Sequence, residues 1–172
     1  PNPTYRKVAY LLHELNVNCR NVKFYMMDEW ADEDGNVAPL TYKAGFGYAN
    51  ITPKQDGLPM AGYSDGRVSA GYMTYLEARA VAVQDEAGEI LLFVTADLSF
   101  IRPKFGLKVM EKMPKTLGIP EDHIILSGTH THASVSTGRT DIPSVGKFND
   151  QYIAGMKKAI LQAVEDLKPA TC

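Results

Sequence analysis

Two apolar runs separated by one helix-length segment place the strongest limit on how this chain can fold. Glu89–Ala96 (Glu-Ile-Leu-Leu-Phe-Val-Thr-Ala) is almost continuously apolar, which predicts a strand buried on both faces. Pro103 suits the first turn of a helix. That helix carries Phe105, Val109, Met113 and Leu117, and Gly118 and Pro120 stop it. Pro114 falls inside the pattern and predicts a kink or an early end. Ile124–Leu126 is the next apolar run. Strand, helix and strand in this order form a βαβ unit with parallel strands and a right-handed crossover. Ligands of open α/β sheets bind outside the carboxyl ends of the strands. The expectation is an α/β fold with a partly parallel sheet, with Asp97 and His130 at one sheet edge.

The flanking segments extend this plan. Leu76–Gln84 alternates like a strand, with Val81 and Val83, and Asp85-Glu86-Ala87-Gly88 is a hairpin turn into the next strand. Residues 43–75 hold Gly45, Gly47, Gly57, Gly62, Gly66 and Gly71. They exclude a long helix and predict short strands, turns and close backbone approaches around a site. Residues 148–167 read as an amphipathic helix with Tyr152, Ile153, Met156, Ile160, Ala163, Val164 and Leu167 on one side. Lys168-Pro169-Ala170 ends it where an α/β protein would continue into a strand, so the chain reads as a fragment of a larger domain. Near the other end, Thr4 caps a helix over 5–15, residues 22–27 form a short strand, and the acidic run 28–36 is a solvated turn.

Composition excludes several classes of function. Hydrophobic residues make up 45% of the chain, enough for a core. Twenty acidic residues against eighteen basic give a net charge of -2. That balance opposes nucleic-acid binding driven by phosphate contacts. No apolar run approaches the roughly 18 residues of a transmembrane segment. Cys19 and Cys172 are far apart in sequence, and of the two readings, a disulfide or reduced structural thiols, the second is preferred.

Gly128-Thr129-His130-Thr131-His132 follows directly on the last apolar run. Imidazole is both a common zinc ligand and the common general base near neutral pH. Residues i and i+2 on extended backbone point to opposite faces. The pattern therefore predicts one histidine as a metal ligand and the other in contact with substrate or supporting the ligand from behind. The alternative is a pair of loop histidines satisfied by backbone carbonyls. Asp97 either caps the following helix or orients His130 and raises its basicity. Arg79 is either a buried ion-pair partner or part of an exposed strand face. His13 and His123 read as surface residues. Ser134, Ser136 and Thr137 lack the elbow motif of a hydrolase nucleophile. Gly45-Phe46-Gly47 lacks the helix that a phosphate loop requires.

Several segments in order resemble the N-terminal part of the neutral/alkaline non-lysosomal ceramidase family. They run from Tyr42-Lys43-Ala44-Gly45-Phe46-Gly47 through Ile51-Thr52-Pro53, Pro59-Met60-Ala61-Gly62-Tyr63 and Leu76-Glu77-Ala78-Arg79-Ala80. Thr95-Ala96-Asp97-Leu98, Leu126–His132, the final helix and Leu167-Lys168-Pro169-Ala170 complete the match, over about 130 residues. The resemblance implies a zinc-dependent amidohydrolase that cleaves the N-acyl bond of ceramide, or another N-acyl amide substrate. It implies Zn2+ as cofactor, His130 as metal ligand, and His132 as an active-site group, with Asp97 as a supporting carboxylate. Further zinc ligands of the family lie beyond position 172. The chain departs from the family at Asn50, where an aspartate is usual. It departs again at Ser69–Thr74, where a histidine-containing segment is usual, and at Ala133–Ser136, where Ser-Gly-Pro is usual. These differences bear on substrate more than on fold.

Residues 1–41 resemble a different family, glucosamine-6-phosphate deaminase/isomerase. There Met27-Asp28-Glu29-Trp30 matches a turn whose aspartate moves a proton, which maps to Asp28. The organisation expected is a 1–41 isomerase-like segment followed by a 42–172 ceramidase-like segment. The competing functions are a sugar-phosphate isomerase fragment and a non-catalytic binding domain built on the Gly/Tyr-rich loops.

Overall fold

The computed structural model describes residues 30–31, 37–38, 42–62 and 66–170. It divides into two compact units, residues 1–39 with Cys172 and residues 40–171. In the first, β1 (Trp30–Ala31) pairs antiparallel with β2 (Val37–Ala38). The helix expected over 5–15, the strand expected over 22–27, and His13, Cys19, Asp28 and Cys172 lie outside the described residues.

The second unit is built on a mixed five-stranded sheet. Its strands are β3 (Tyr42–Asn50), β4 (Glu77–Gln84), β5 (Ile90–Ala96), β6 (Ile124–Gly128) and β7 (Lys168–Ala170). Their order across the sheet is β6-β5-β4-β3-β7. The β5–β6 pair is parallel and the other three pairs are antiparallel. Between β5 and β6 the chain passes through α1 (Pro103–Met110), α2 (Met113–Leu117) and a 3-10 turn (Glu121–His123). This is the βαβ unit that the two apolar runs predict. The expected interruption is real. Lys112 adopts φ 65° between the two helices, and Pro114 lies in the first turn of α2, where its missing N–H costs nothing.

The core lies against one face of the sheet. Strand alternation turns Ala78, Ala80 and Ala82 of β4 and Leu92, Val94 and Ala96 of β5 to that face. Across them lies α3 (Pro143–Glu165), which buries Val145, Phe148, Tyr152, Met156, Ala159, Ile160 and Ala163. It begins five residues earlier than its apolar periodicity indicates, because Pro143 at its start supplies the helical φ. Phe105 of α1 meets the Tyr152 ring edge-on at 5.9 Å. Burial pushes the pKa of the Tyr152 hydroxyl well above its ordinary value. On β3 the inward positions are Gly45, Gly47 and Ala49. A Cβ on Gly45 would overlap the carbonyl oxygen of Ala163, and one on Gly47 that of Ala159. The glycines let α3 rest directly on the strand backbone.

Two expectations are corrected. First, β5 is buried on one face only. Phe46, Val81, Phe93 and Ile125 stand in register as a row across four strands on the opposite face. Phe46, Phe93 and Ile125 of that row are exposed. An apolar run records that a strand is apolar on both sides, whereas covering both sides needs a second layer. Second, Lys168-Pro169-Ala170 forms the edge strand β7 against β3, with Lys43 opposite Pro169. Proline is tolerated there because an edge strand has one unpaired side. Asp166 fixes this return. Its carboxylate accepts the Phe46 N–H at 3.1 Å and pairs with Lys168 Nζ at 3.1 Å. The Phe46 N–H, reinforced by the Lys168 ammonium, holds its pKa below the usual carboxylate value.

Candidate functional site

Asn50 at the end of β3, Glu77 at the start of β4, Asp97 just past β5 and Gly128 at the end of β6 all fall at one sheet edge, as the register dictates. Three connections leave that edge, residues 51–76, 97–102 and 129–142. The first bond at the edge is a clamp between β4 and β5. The Asp97 N–H donates to the Glu77 carbonyl, and the Glu77 N–H donates to Asp97 Oδ2, each at 2.9 Å. Arg79 straddles the pair, with Glu77 Oε2 at 2.6 Å and Asp97 Oδ1 at 3.3 Å. Arg79 is thus on an exposed strand face and ion-paired at once.

The 97–102 and 129–142 connections press together at Gly128. A Cβ there would lie 2.9 Å from the Leu98 carbonyl oxygen and 3.0 Å from Phe100 Cα. The Thr129 N–H then bonds the Ala96 carbonyl at 3.0 Å. His130 follows with φ 60°, one of two non-glycine residues with positive φ among the described residues. That conformation costs roughly 1–2 kcal/mol for an L-residue, and such strain concentrates at functional sites. The rings of His130 and His132 meet beside it. Their Nε2 atoms are 3.4 Å apart and their centroids 5.1 Å apart.

The proton positions follow from the partners. His130 Nδ1 lies 2.8 Å from the Ser99 carbonyl oxygen. A carbonyl only accepts, so Nδ1 carries the hydrogen and the Nε2 lone pair faces His132. In the neutral pair His132 donates its Nε2–H to that lone pair. The His132 ring is backed by Gly62 (φ 70°), where a Cβ would overlap Nδ1. Gly62 is held there by stitches between the 57–62 and 133–136 segments. The Ala61 N–H bonds the Ser134 carbonyl at 2.8 Å, and the Ser136 N–H bonds the Pro59 carbonyl at 2.7 Å.

The sequence placed Asp97, His130 and His132 at one edge, and the structure does the same, with two changes. The histidines converge, whereas extended backbone would set them on opposite faces, because His130 is left-handed rather than extended. Asp97 is occupied by Glu77 and Arg79, and the group that orients His130 is the Ser99 carbonyl. Ser99 acts through its backbone, so its side chain gave no signal. Gly62 belonged to a stretch expected to make close backbone approaches, but nothing in the sequence said what it would approach. Elsewhere, His123 Nδ1 sits 3.2 Å from the Ile90 carbonyl, and buried Ser134 donates to the Thr131 carbonyl at 3.4 Å. Gly45 and Gly47 are committed to the contact with α3, so they are not a phosphate loop. No group of three or more His, Cys, Asp or Glu side chains that could hold a metal converges among the described residues.

The Gly62 contact makes a direct prediction. Gly62→Ala places a methyl group inside the His132 ring and forces a positive φ on an L-residue. The ring must swing away from His130, and stability falls by about 1–3 kcal/mol. Imidazole nitrogen shifts in NMR spectra follow the pair directly. Unchanged His130 and His132 resonances in the variant would contradict this packing.

Residues 42–172 match the family described as neutral/alkaline non-lysosomal ceramidase, N-terminal. Neutral ceramidase 2 of Arabidopsis thaliana is 29% identical over 140 residues, which cover 76% of this chain and 18% of that protein. Neutral ceramidase of Drosophila melanogaster is 36% identical over 99 residues, covering 55% of this chain and 14% of that protein. The crystal structure of neutral ceramidase from Pseudomonas aeruginosa superposes with a TM-score of 0.68 at 28% identity. It covers 77% of this chain, and this chain covers 23% of it. A ceramidase complexed with C2 superposes with a TM-score of 0.66 at 28% identity, covering 76% of this chain and 22% of that one. The chain therefore spans less than a quarter of the length of each of these proteins. The family match begins at residue 42 and does not reach Asp28.

Proposed function

The chain belongs to the neutral/alkaline non-lysosomal ceramidase family, and on that footing we propose that it carries part of the active site of a zinc-dependent amidohydrolase acting on ceramide-like N-acyl amides. The observation that carries the reading is the converging pair of imidazoles at the carboxyl edge of the sheet.

The residues present fit zinc as a partial donor set. His130 offers an Nε2 lone pair, with its Nδ1–H anchored on a carbonyl as metal-binding histidines require. His130 is the proposed metal ligand. His132 is the proposed active-site group beside it, able to hold or pass a proton at Nε2. When bound, zinc polarises a carbonyl and lowers the pKa of water. Asp97 has an indirect part. Its clamp on β4 fixes the start of the 97–102 connection and thereby the Ser99 carbonyl that aims His130. The close packing of Gly128 against Leu98 and Phe100 holds the two connections at that spacing.

One imidazole ligand is fewer than the three or four protein ligands of a zinc enzyme. The 172-residue chain should therefore bind one zinc ion weakly, short of the roughly 10 kcal/mol of a complete structural site, and should not turn over ceramide. Competition with a chromophoric chelator measures the affinity. NMR of the zinc-loaded chain with a short-chain N-acylsphingosine tests the substrate. His130 and His132 resonances should move with the N-acylated compound and stay in place with free sphingosine. No zinc uptake at millimolar metal, or equal responses to both lipids, would count against the proposal.

A further inference from the structure

Three polar groups meet where α3 packs against the 97–102 and 129–142 connections, the two that carry Ser99 and the histidines. Arg102 Nε, Asn149 Oδ1 and the Tyr152 hydroxyl are closed off from solvent, and none has a hydrogen-bond partner among the described residues. Asn149 and Tyr152 are 2% and 0% exposed. The positions of the three are linked. Asn149 Nδ2 donates to the Thr137 carbonyl at 3.2 Å, which orients the amide and leaves Oδ1 as the acceptor without a donor. At the next residue, Gly138, a Cβ would overlap the Arg102 guanidinium, so that group rests directly against the Gly138 backbone. Its Cζ is also 4.9 Å from the centroid of the Phe100 ring. Tyr152 is three residues past Asn149 on α3, the spacing of neighbours on one helix face. Burial raises the pKa of its hydroxyl, and the nearby Arg102 charge pulls against that rise. An open cleft of about 270 Å3, lined from α1 by Phe105 and from α3 by Gly146 and Asn149, gives solvent a path to the same place.

We propose that Arg102, Asn149 and Tyr152 bind one internal water molecule, which ties α3 to both connections. The chemistry of the three groups selects this ligand. Arg102 Nε–H only donates, Asn149 Oδ1 only accepts, and the tyrosine hydroxyl does either. An anion would satisfy Arg102 and Tyr152 but stand against the Asn149 oxygen. A cation would satisfy Asn149 and Tyr152 but stand against a guanidinium. Water accepts from Nε–H, donates to Oδ1 and keeps a further bond for the hydroxyl. Buried waters typically make about three hydrogen bonds to groups that are otherwise unbonded. Native folds rarely leave such groups without a partner, because their desolvation is then uncompensated. The inference rests on the packing of the second unit and needs neither zinc nor substrate.

NMR of the wild-type chain tests this without any substitution. The Arg102 Nε–H should show a water cross-peak with the sign of a long-lived bound water rather than of proton exchange. A crystal structure should show one density peak about 2.7–3.2 Å from all three atoms, with no anomalous signal there after a bromide soak. Tyr152→Phe keeps the ring and removes only the hydroxyl, and it gives a difference in sign. A hydroxyl bonded to water stabilises the fold, so its loss should lower the folding equilibrium constant about fivefold. A stranded hydroxyl destabilises the fold, so its loss would raise that constant. Tyr48→Phe, at an exposed tyrosine, is the control and should change little. In Tyr152→Phe the amides of Arg139, Thr140 and Ile142, which close turns in the 129–142 connection, should exchange faster. Amides of β4 should not. The proposal is overturned by a missing cross-peak, by bromide at the site, by a direct bond between Arg102 and Tyr152, or by a Tyr152→Phe chain more stable than the wild type. Unchanged exchange in the connection would overturn the tie to α3.

Discussion

His130→Gly should weaken zinc binding by about 100-fold or more and leave the melting temperature equal to or above that of the wild type. The two effects have separate causes at one residue. Position 130 has φ 60°, where glycine sits without the Cβ penalty of roughly 1–2 kcal/mol. Removing the imidazole also removes the Nε2 lone pair that faces His132 and the bond from Nδ1 to the Ser99 carbonyl. That bond is exposed, and its net contribution is about 1 kcal/mol. The conformational gain should match or exceed it, giving a stability equal to the wild type or higher by up to about 1 kcal/mol. Zinc affinity should fall by about 100-fold or more, since the proposed ligand is lost. His130→Asn is the companion variant. Asparagine tolerates the left-handed region, so the turn persists while the ligand is gone. Chelator competition and thermal melts on the three proteins distinguish the cases. If glycine lowers the melting temperature by many degrees, the left-handed turn is not a strained conformation held for the site. If glycine and asparagine both retain wild-type zinc affinity, His130 is not the ligand.

The second large effect is expected far from the histidines. Gly47→Val should cost about 3 kcal/mol or more, a large share of the 5–15 kcal/mol typical of a domain. The obstacle is backbone. A Cβ at position 47 overlaps the Ala159 carbonyl oxygen and crowds the Ala163 nitrogen, and neither can rotate away. The strand and α3 must separate, which opens voids around Met156, Ala159 and Ala163, all buried. Inserted methyl groups in cores usually cost 1–3 kcal/mol when side chains can adjust, so this change belongs at or above that range. Phe46→Ala, on the adjacent residue of the same strand but on the open face, is the matched control and should cost about 1 kcal/mol or less. Chemical denaturation of both variants measures the difference. Equal midpoints would show that α3 does not rest on the β3 backbone.

How far the sequence could be read depended on the range of the interactions involved. The parallel β5–β6 pair, the hairpin at Asp85–Gly88, the break near Pro114 and the placement of Asp97 and His130 at one edge were all legible. Each follows from side-chain periodicity or from the fixed φ of proline within some 10 to 40 residues of chain. The identity of the edge as a candidate site was legible too, since His130 and His132 sit directly past an apolar run. Of the two roles open to Asp97, orienting His130 falls instead to the Ser99 carbonyl. A carboxylate beside a histidine is the visible clue, whereas the Ser99 carbonyl carries no signature in its side chain.

The amino-acid sequence alone determined the alternation of strand and helix, the apolar stripe of α3, and the residue types available for chemistry, because pattern and propensity are local properties. Tertiary structure decided the rest. It settled which face of β5 would be covered, that Lys168–Ala170 would close the sheet edge, and that Gly45 and Gly47 would admit a helix. It also turned His130 into a left-handed conformation that brings two imidazoles to 3.4 Å. Those outcomes depend on contacts between segments distant in sequence, such as Gly47 with Ala159 and Gly62 with His132. A backbone torsion or a missing Cβ acquires its meaning only from what is packed against it.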